Sequence, residues 1–78
     1  MNSIVRLQRD FYSHECVTQA LVDFHEYMDG GSAVEKGEIV LNLEVRPPFS
    51  DQARLIVREF LNYALDLTLR ARFAGESG

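Results

Sequence analysis

Tryptophan is absent from these 78 residues, cysteine occurs once and proline twice. The single thiol, Cys16, leaves no pair for an internal disulfide and suits a reducing cytosol. No apolar run approaches the roughly 18 residues of a membrane span, and the N-terminus lacks the basic-then-apolar layout of a secretory signal. Basic residues are in deficit, 8 against 12 acidic ones, for a formal net charge of −4. General nucleic-acid binding needs a basic footprint, so the balance argues against that class. Repeats, linkers and low-complexity stretches are missing as well. The residues that are present, 46% hydrophobic and 26% charged, make the ordinary mix of one folded domain. A chain of this length buries only a little over roughly 60% of the surface its unfolded form exposes, so a partner that covers part of it would add to a marginal stability.

Charge is unevenly spread. Residues 1–45 carry three bases against eight acids, near −5, and residues 46–78 carry five arginines against four acids, near +1. The asymmetry either holds two parts of one fold together or shows surfaces of opposite sign to different partners.

Ile4 to Gln8 alternates like a short strand, with Val5 and Leu7 on one side and Arg6 and Gln8 on the other. After a turn at 10–12, Ser13 is placed to cap a helix, and Glu15 suits its positive start. Val17, Ala20, Leu21, Phe24 and Met28 recur at helical spacing, and Asp29-Gly30-Gly31 reads as the stop. Glu35-Lys36-Gly37 has the look of a three-residue hairpin loop, which would make Ser32 to Val34 a stub of strand. Beyond it, Ile39, Leu41, Leu43 and Val45 alternate with polar residues, apart from an outward Val40, the pattern of a strand with one face on a core. Pro47-Pro48 ends that strand. With Ser50 as cap, a long second helix is expected from about Asp51 to Arg72, with Ala53, Val57, Phe60, Ala64, Leu67 and Ala71 as its apolar stripe. Ile56 and Tyr63 widen the stripe on one side, Leu61 and Leu65 on the other. Gly75 to Gly78 should fray.

The order β-α-(β)-β-α predicts a single two-layer α+β domain over residues 1–74, with both helices on one face of a small, mainly antiparallel sheet. Such a sheet has open edges. Dimerisation through an edge strand or through the broad second helix would cover them.

Among candidate chemistries, metal binding fares poorly. His14 and His25 would lie about three helical turns apart, on the order of 16 Å, too far to share an ion. A zinc-peptidase pattern would need histidine where Thr18 stands. Solvated histidines and a buried structural Cys16 are the plainer reading. The glycine pair Gly30-Gly31 does not open a helix as a phosphate loop would, and no carboxylates are paired for acid–base work, so catalysis in isolation is not expected.

The polar side of the second helix says more. Glu59, Asn62, Asp66 and Arg70 recur every three or four residues, with Asp66 and Arg70 spaced as an acid-before-base pair. They form either a solvated face carrying one ion pair or a docking stripe. A second stripe, Arg54, Arg58, Leu61, Leu65 and Arg72, is either an apolar margin covered by arginine stems or a self-association seam. A nucleic-acid groove would want stacking aromatics that this side lacks.

Two segments resemble the HxsD family, the small D component of the His-Xaa-Ser system. In Leu7 to Cys16, Phe11-Tyr12-Ser13-His14-Glu15 is similar to the tyrosine-serine-x-glutamate lead into the family's first helix. In Glu59 to Arg70, Glu59-Phe60-Leu61-Asn62, Leu65-Asp66 and Leu69-Arg70 resemble its C-terminal signature. The likeness spans most of residues 4–74. It departs from the family at Cys16, where a small residue such as alanine is expected, in the glycine-rich 29–34 segment, and at Pro47-Pro48. The resemblance implies a non-enzymatic accessory protein that binds paired radical S-adenosylmethionine (radical SAM) enzymes or a substrate protein with His-Xaa-Ser repeats, and the single cysteine makes the expected location cytoplasmic. It also implies no cofactor on this chain, since an iron–sulfur cluster wants about four thiolates. Because the likeness falls on the polar stripe, Glu59, Asn62, Asp66 and Arg70 become the expected orienting contacts, with Leu61 and Leu65 adding area. The rival expectation is a homo-oligomeric module with no enzyme partner, a homodimer in the simplest case.

Overall fold

The computed structural model of the protein describes residues 2–76, with side chains described as far as Ala74. Its elements are β1 (Asn2–Gln8), α1 (His14–Asp23), β2 (Met28–Glu35), β3 (Glu38–Val45), a 3-10 turn (Pro47–Gln52) and α2 (Ala53–Glu76). The sheet is antiparallel in the order β1-β3-β2, and both helices pack on one face of it, the two-layer α+β arrangement expected from the pattern of residues.

The central strand β3 sets the core. Its alternate residues Ile39, Leu41, Leu43 and Val45 are buried, and Val40, Asn42 and Glu44 face the other way. Antiparallel register pairs Leu7 with Ile39 and Val5 with Leu41 on one side, and Met28 with Val45 and Gly30 with Leu43 on the other. Two residues, Lys36 and Gly37, close the β2–β3 hairpin with φ of 49° and 82°. Positive φ at both central positions makes a turn whose twist suits a tight hairpin, and Glu35 belongs to β2 rather than to a three-residue loop.

Helix α1 is shorter than its apolar spacing suggests. Ser13 caps it, accepting from the Cys16 N–H at 3.5 Å, but the helix ends at Asp23 and Phe24 caps the other end. The chain then turns through 24–27, where the Tyr27 and Met28 N–H groups both donate to the Phe24 carbonyl. Met28 is buried as the first residue of β2, not as the last of a helix. Gly30 and Gly31 are strand residues without positive φ, so they do not terminate α1. Gly30 instead permits close approach: a Cβ there would stand 2.9 Å from Cδ2 of both Leu21 and Leu43.

Pro47 and Pro48 start the 3-10 turn, where a missing N–H costs nothing. Ser50 sits inside that turn and caps no helix; α2 begins at Ala53 and runs past Arg72 through Gly75 and Glu76, while residues 77 and 78 lie outside the described residues. Ala53, Ile56, Phe60, Ala64 and Thr68 are its buried positions, with Val57, Leu61, Tyr63 and Leu67 packed at the margins. Ala71, expected in the stripe, is exposed because the sheet no longer reaches it. The wide apolar arc serves two neighbours. Tyr63 turns toward α1, where its ring lies 5.5 Å from that of Phe24, and Val57 and Leu61 turn toward β1.

Candidate functional site

Helix α2 has 24 residues, about 36 Å at 1.5 Å per residue, whereas the eight residues of β3 span about 27 Å. The helix therefore outruns the layer on which it rests. Its last buried residue is Thr68, and every described side chain after it is exposed. Thr68 marks the end of contact with the core. Its Oγ1 donates to the Ala64 carbonyl at 2.9 Å and accepts from the Ser13 N–H at 3.1 Å, so the hydroxyl joins α2 to the start of α1. One turn later, Arg72 donates to the Asp10 carbonyl at 2.6 Å.

Glu59, Asn62, Asp66 and Arg70 are all exposed on the side of α2 away from the sheet. Asp66 Oδ2 and Arg70 Nε are 3.0 Å apart, the ion pair expected from their spacing. At such exposure it contributes only about 0.3–0.5 kcal/mol. The apolar companions on this face are not those expected. Leu61 and Leu65 are half-buried on the flank toward β1, about 100° around the helix from Asn62 and Asp66. The outward face carries Leu55, Leu69 and Phe73, exposed by 46%, 42% and 66%. With Glu59, Asn62 and Asp66 they form one series, 55, 59, 62, 66, 69 and 73, spaced by four, three, four, three and four residues. That is the spacing of a helix-pairing seam, apolar at both ends and polar in the middle. The spacing was available in the sequence, but Leu69 and Phe73 could equally have belonged to the core.

The second mixed stripe is divided by its surroundings. Arg54, Arg58, Val57 and Leu61 border a groove of about 320 Å³ with Ser3 of β1, whereas Arg72 lies at the far end beside a polar hollow lined by Arg9, Tyr12, Ser13, His14 and Glu15.

The histidines do different local work. His14 Nε2 shares a 3.0 Å hydrogen bond with Ser32 Oγ, tying α1 to β2. His25 belongs to the turn after α1, not to the helix itself, and its Nδ1 donates to the Val22 carbonyl at 2.9 Å. Cys16 is half-buried rather than fully buried. Among the described residues no three His, Cys, Asp or Glu side chains are grouped to hold a metal ion. Among the described residues Tyr63 is the titratable group with a marked environment: its hydroxyl donates to Asp23 Oδ2 at 2.5 Å. That hydrogen bond, with some desolvation and the nearby carboxylate charge, raises the phenol above its ordinary value near 10.

What these elements define is a small α+β domain with three antiparallel strands and two helices, among whose described residues no helix is long and apolar enough to cross a membrane. Compared with protein-family models, curated proteins and solved structures, the chain returns no match.

Proposed function

We propose that the protein is a non-enzymatic accessory subunit that docks onto a partner through the outward face of α2. In this reading the partner is a radical SAM enzyme or the repeat protein of a His-Xaa-Ser peptide-modification system, in the cytoplasm. The system is taken from the resemblance of the Phe11–Glu15 and Glu59–Arg70 segments. The docking mode is supported by one observation, the six-residue series Leu55 to Phe73 opposite the helix's own core, with apolar side chains at its ends. Leu69 and Phe73 are 42% and 66% exposed, so covering them would gain roughly half of the about 1.5–3 kcal/mol that full burial of such a side chain is worth. Glu59, Asn62, Asp66 and Arg70 between and beside them would set register and orientation.

The test is purification of the tagged chain from its native cells. The wild type should carry radical SAM subunits or a His-Xaa-Ser protein. Asp66→Lys and Leu69→Glu should each lower that yield tenfold or more, a loss of about 1.4 kcal/mol, while circular dichroism stays that of the wild type. Undiminished capture by the folded variants would remove the outward face from the reading. A second reading, a homo-oligomeric module, is favoured by the sheet order, which leaves both β1 and β2 as edges among the described residues. An eluate holding only the chain itself, together with a mass above the monomer by light scattering at micromolar concentration, would select it.

A further inference from the structure

Edge strand β1 and helix α2 enclose the groove of about 320 Å³ lined by Ser3, Ala53, Arg54, Val57, Arg58 and Leu61. Among the described residues β1 pairs only with β3, so the backbone groups of its other edge are open to a further strand. The floor is apolar: Ala53 is buried, and Val57 and Leu61 pack against the core while keeping part of their surface in the groove. Val5 continues it along β1, half-buried on the same face of the strand as Ser3. The rim is cationic. Arg54 and Arg58 are exposed one helical turn apart, and neither takes part in any of the ion pairs among the described residues. The charged group on β1 itself, Arg6, faces the opposite side of the sheet and pairs with Glu38 at 3.7 Å. In a chain of net charge −4, an apolar groove bordered by two uncompensated guanidinium groups is a local reversal of sign.

A second copy of this chain suits the groove poorly. Edge-to-edge pairing of two β1 strands about a dyad would bring the β1 flank of α2, with its arginines, toward the same flank of the other copy. The seam would then gather Arg54 and Arg58 from each copy, and β1 contributes no carboxylate between Asn2 and Gln8 to offset them.

We propose that the groove between β1 and α2 receives an extended acidic segment of another protein, which adds to β1 as a fourth strand. Backbone hydrogen bonds to the open edge supply affinity without regard to sequence. Small apolar side chains on the inward face of the added strand rest on Val57 and Leu61. Carboxylates on that same face meet Arg54 and Arg58, whose fork of N–H donors suits them. This site lies on the β1 flank of α2, separate from its outward face, and holds or fails independently of the docking reading above.

The probe is an end-blocked fluorescent octapeptide with threonine at even positions and valine and glutamate alternating at odd ones. Fluorescence anisotropy with the full chain should show saturable binding. Replacing its glutamates with glutamine, or using the chain with Arg54→Glu and Arg58→Glu, should weaken binding tenfold or more. Methylating alternate backbone nitrogens of the peptide should abolish it. The strand being added should also slow amide exchange in β1 and leave the free edge of β2 unchanged. Both arginines are exposed, so the double variant should keep the wild-type circular dichroism. Absence of binding, equal affinity for the glutamine peptide, or protection at β2 instead of β1 would each overturn the proposal. So would a concentration-dependent dimer whose formation protects β1, since the occupant would then be a second copy.

Discussion

Thr68 shows how much one hydroxyl can decide. It is fully buried in a helix, where a threonine usually bends its bond back to the preceding turn, and it does so to Ala64 while also receiving the Ser13 N–H. Thr68→Val keeps the volume and leaves that N–H without its acceptor. It should cost about 1–2 kcal/mol in urea unfolding, whereas Thr68→Ser should recover most of the loss. Tyr63 allows a second measurement at this scale. Because its folded-state pKa is raised, the native protein holds the phenolic proton more tightly than the unfolded chain. The stabilisation is therefore fully present below pH 10 and is lost as pH rises through the raised value. Titration followed at the Tyr63 ring should place it above the ordinary phenol value near 10, and Asp23→Asn should bring it back toward that value. A Tyr63 that titrates at the ordinary phenol value in the native protein would mean that the Asp23 contact is not held in solution.

Among the elements, β2 is the one whose residues disguise it. Met28-Asp29-Gly30-Gly31-Ser32-Ala33-Val34-Glu35 has little apolar alternation and two glycines, a sequence of weak strand preference. It is a strand because β3 pairs with it residue for residue from Met28–Val45 to Glu35–Glu38. Its inward positions are filled by α1: Leu21 closes over Gly30, and His14 bonds to Ser32. The glycines should therefore behave differently. Gly30→Val drives a side chain into Leu21 and Leu43 and should destabilise by about 1–3 kcal/mol. A Cβ at Gly31 would meet nothing within 4 Å, so Gly31→Val should lie within about 0.5 kcal/mol of the wild type or gain slightly. Equal losses at the two positions in thermal unfolding would contradict the close approach of α1 to β2.

For the molecule as a whole, a single core cluster takes residues from all three strands and both helices. Unfolding should accordingly be one cooperative transition, with fluorescence of the tyrosines and circular dichroism coinciding. The end of α2 stands apart from that core. Leu69→Glu combined with Phe73→Glu changes side chains 42% and 66% exposed, and should move stability by no more than about 0.5 kcal/mol. Under the docking reading, the same pair should lose partner capture. A large fall in stability without any partner would show that these residues already have a structural contact, as in a self-associated form.

Strands and helices whose residues follow one period are set by local pattern alone. The alternation from Ile39 to Val45, the apolar β1, the Ser13 cap, the break at Pro47-Pro48 and the long amphipathic α2 are local signals, and they suffice for a two-layer α+β class. The Asp66–Arg70 pair was equally legible, since residues four apart on a helix meet wherever the helix packs. Tertiary structure decided the rest. Helical spacing from Val17 to Met28 is the same whether the chain continues or turns at Phe24, and only pairing with β3 makes Met28 a strand residue. Which of Val57, Ile56, Leu67, Thr68 and Ala71 face the core depends on how α2 crosses the sheet and where the sheet ends. The same crossing leaves Leu55, Leu69 and Phe73 outside, turns Leu61 toward β1, and sets Arg54 and Arg58 along an open strand edge. A helix carries its periodicity in its own residues, but the face that is covered depends on its neighbours.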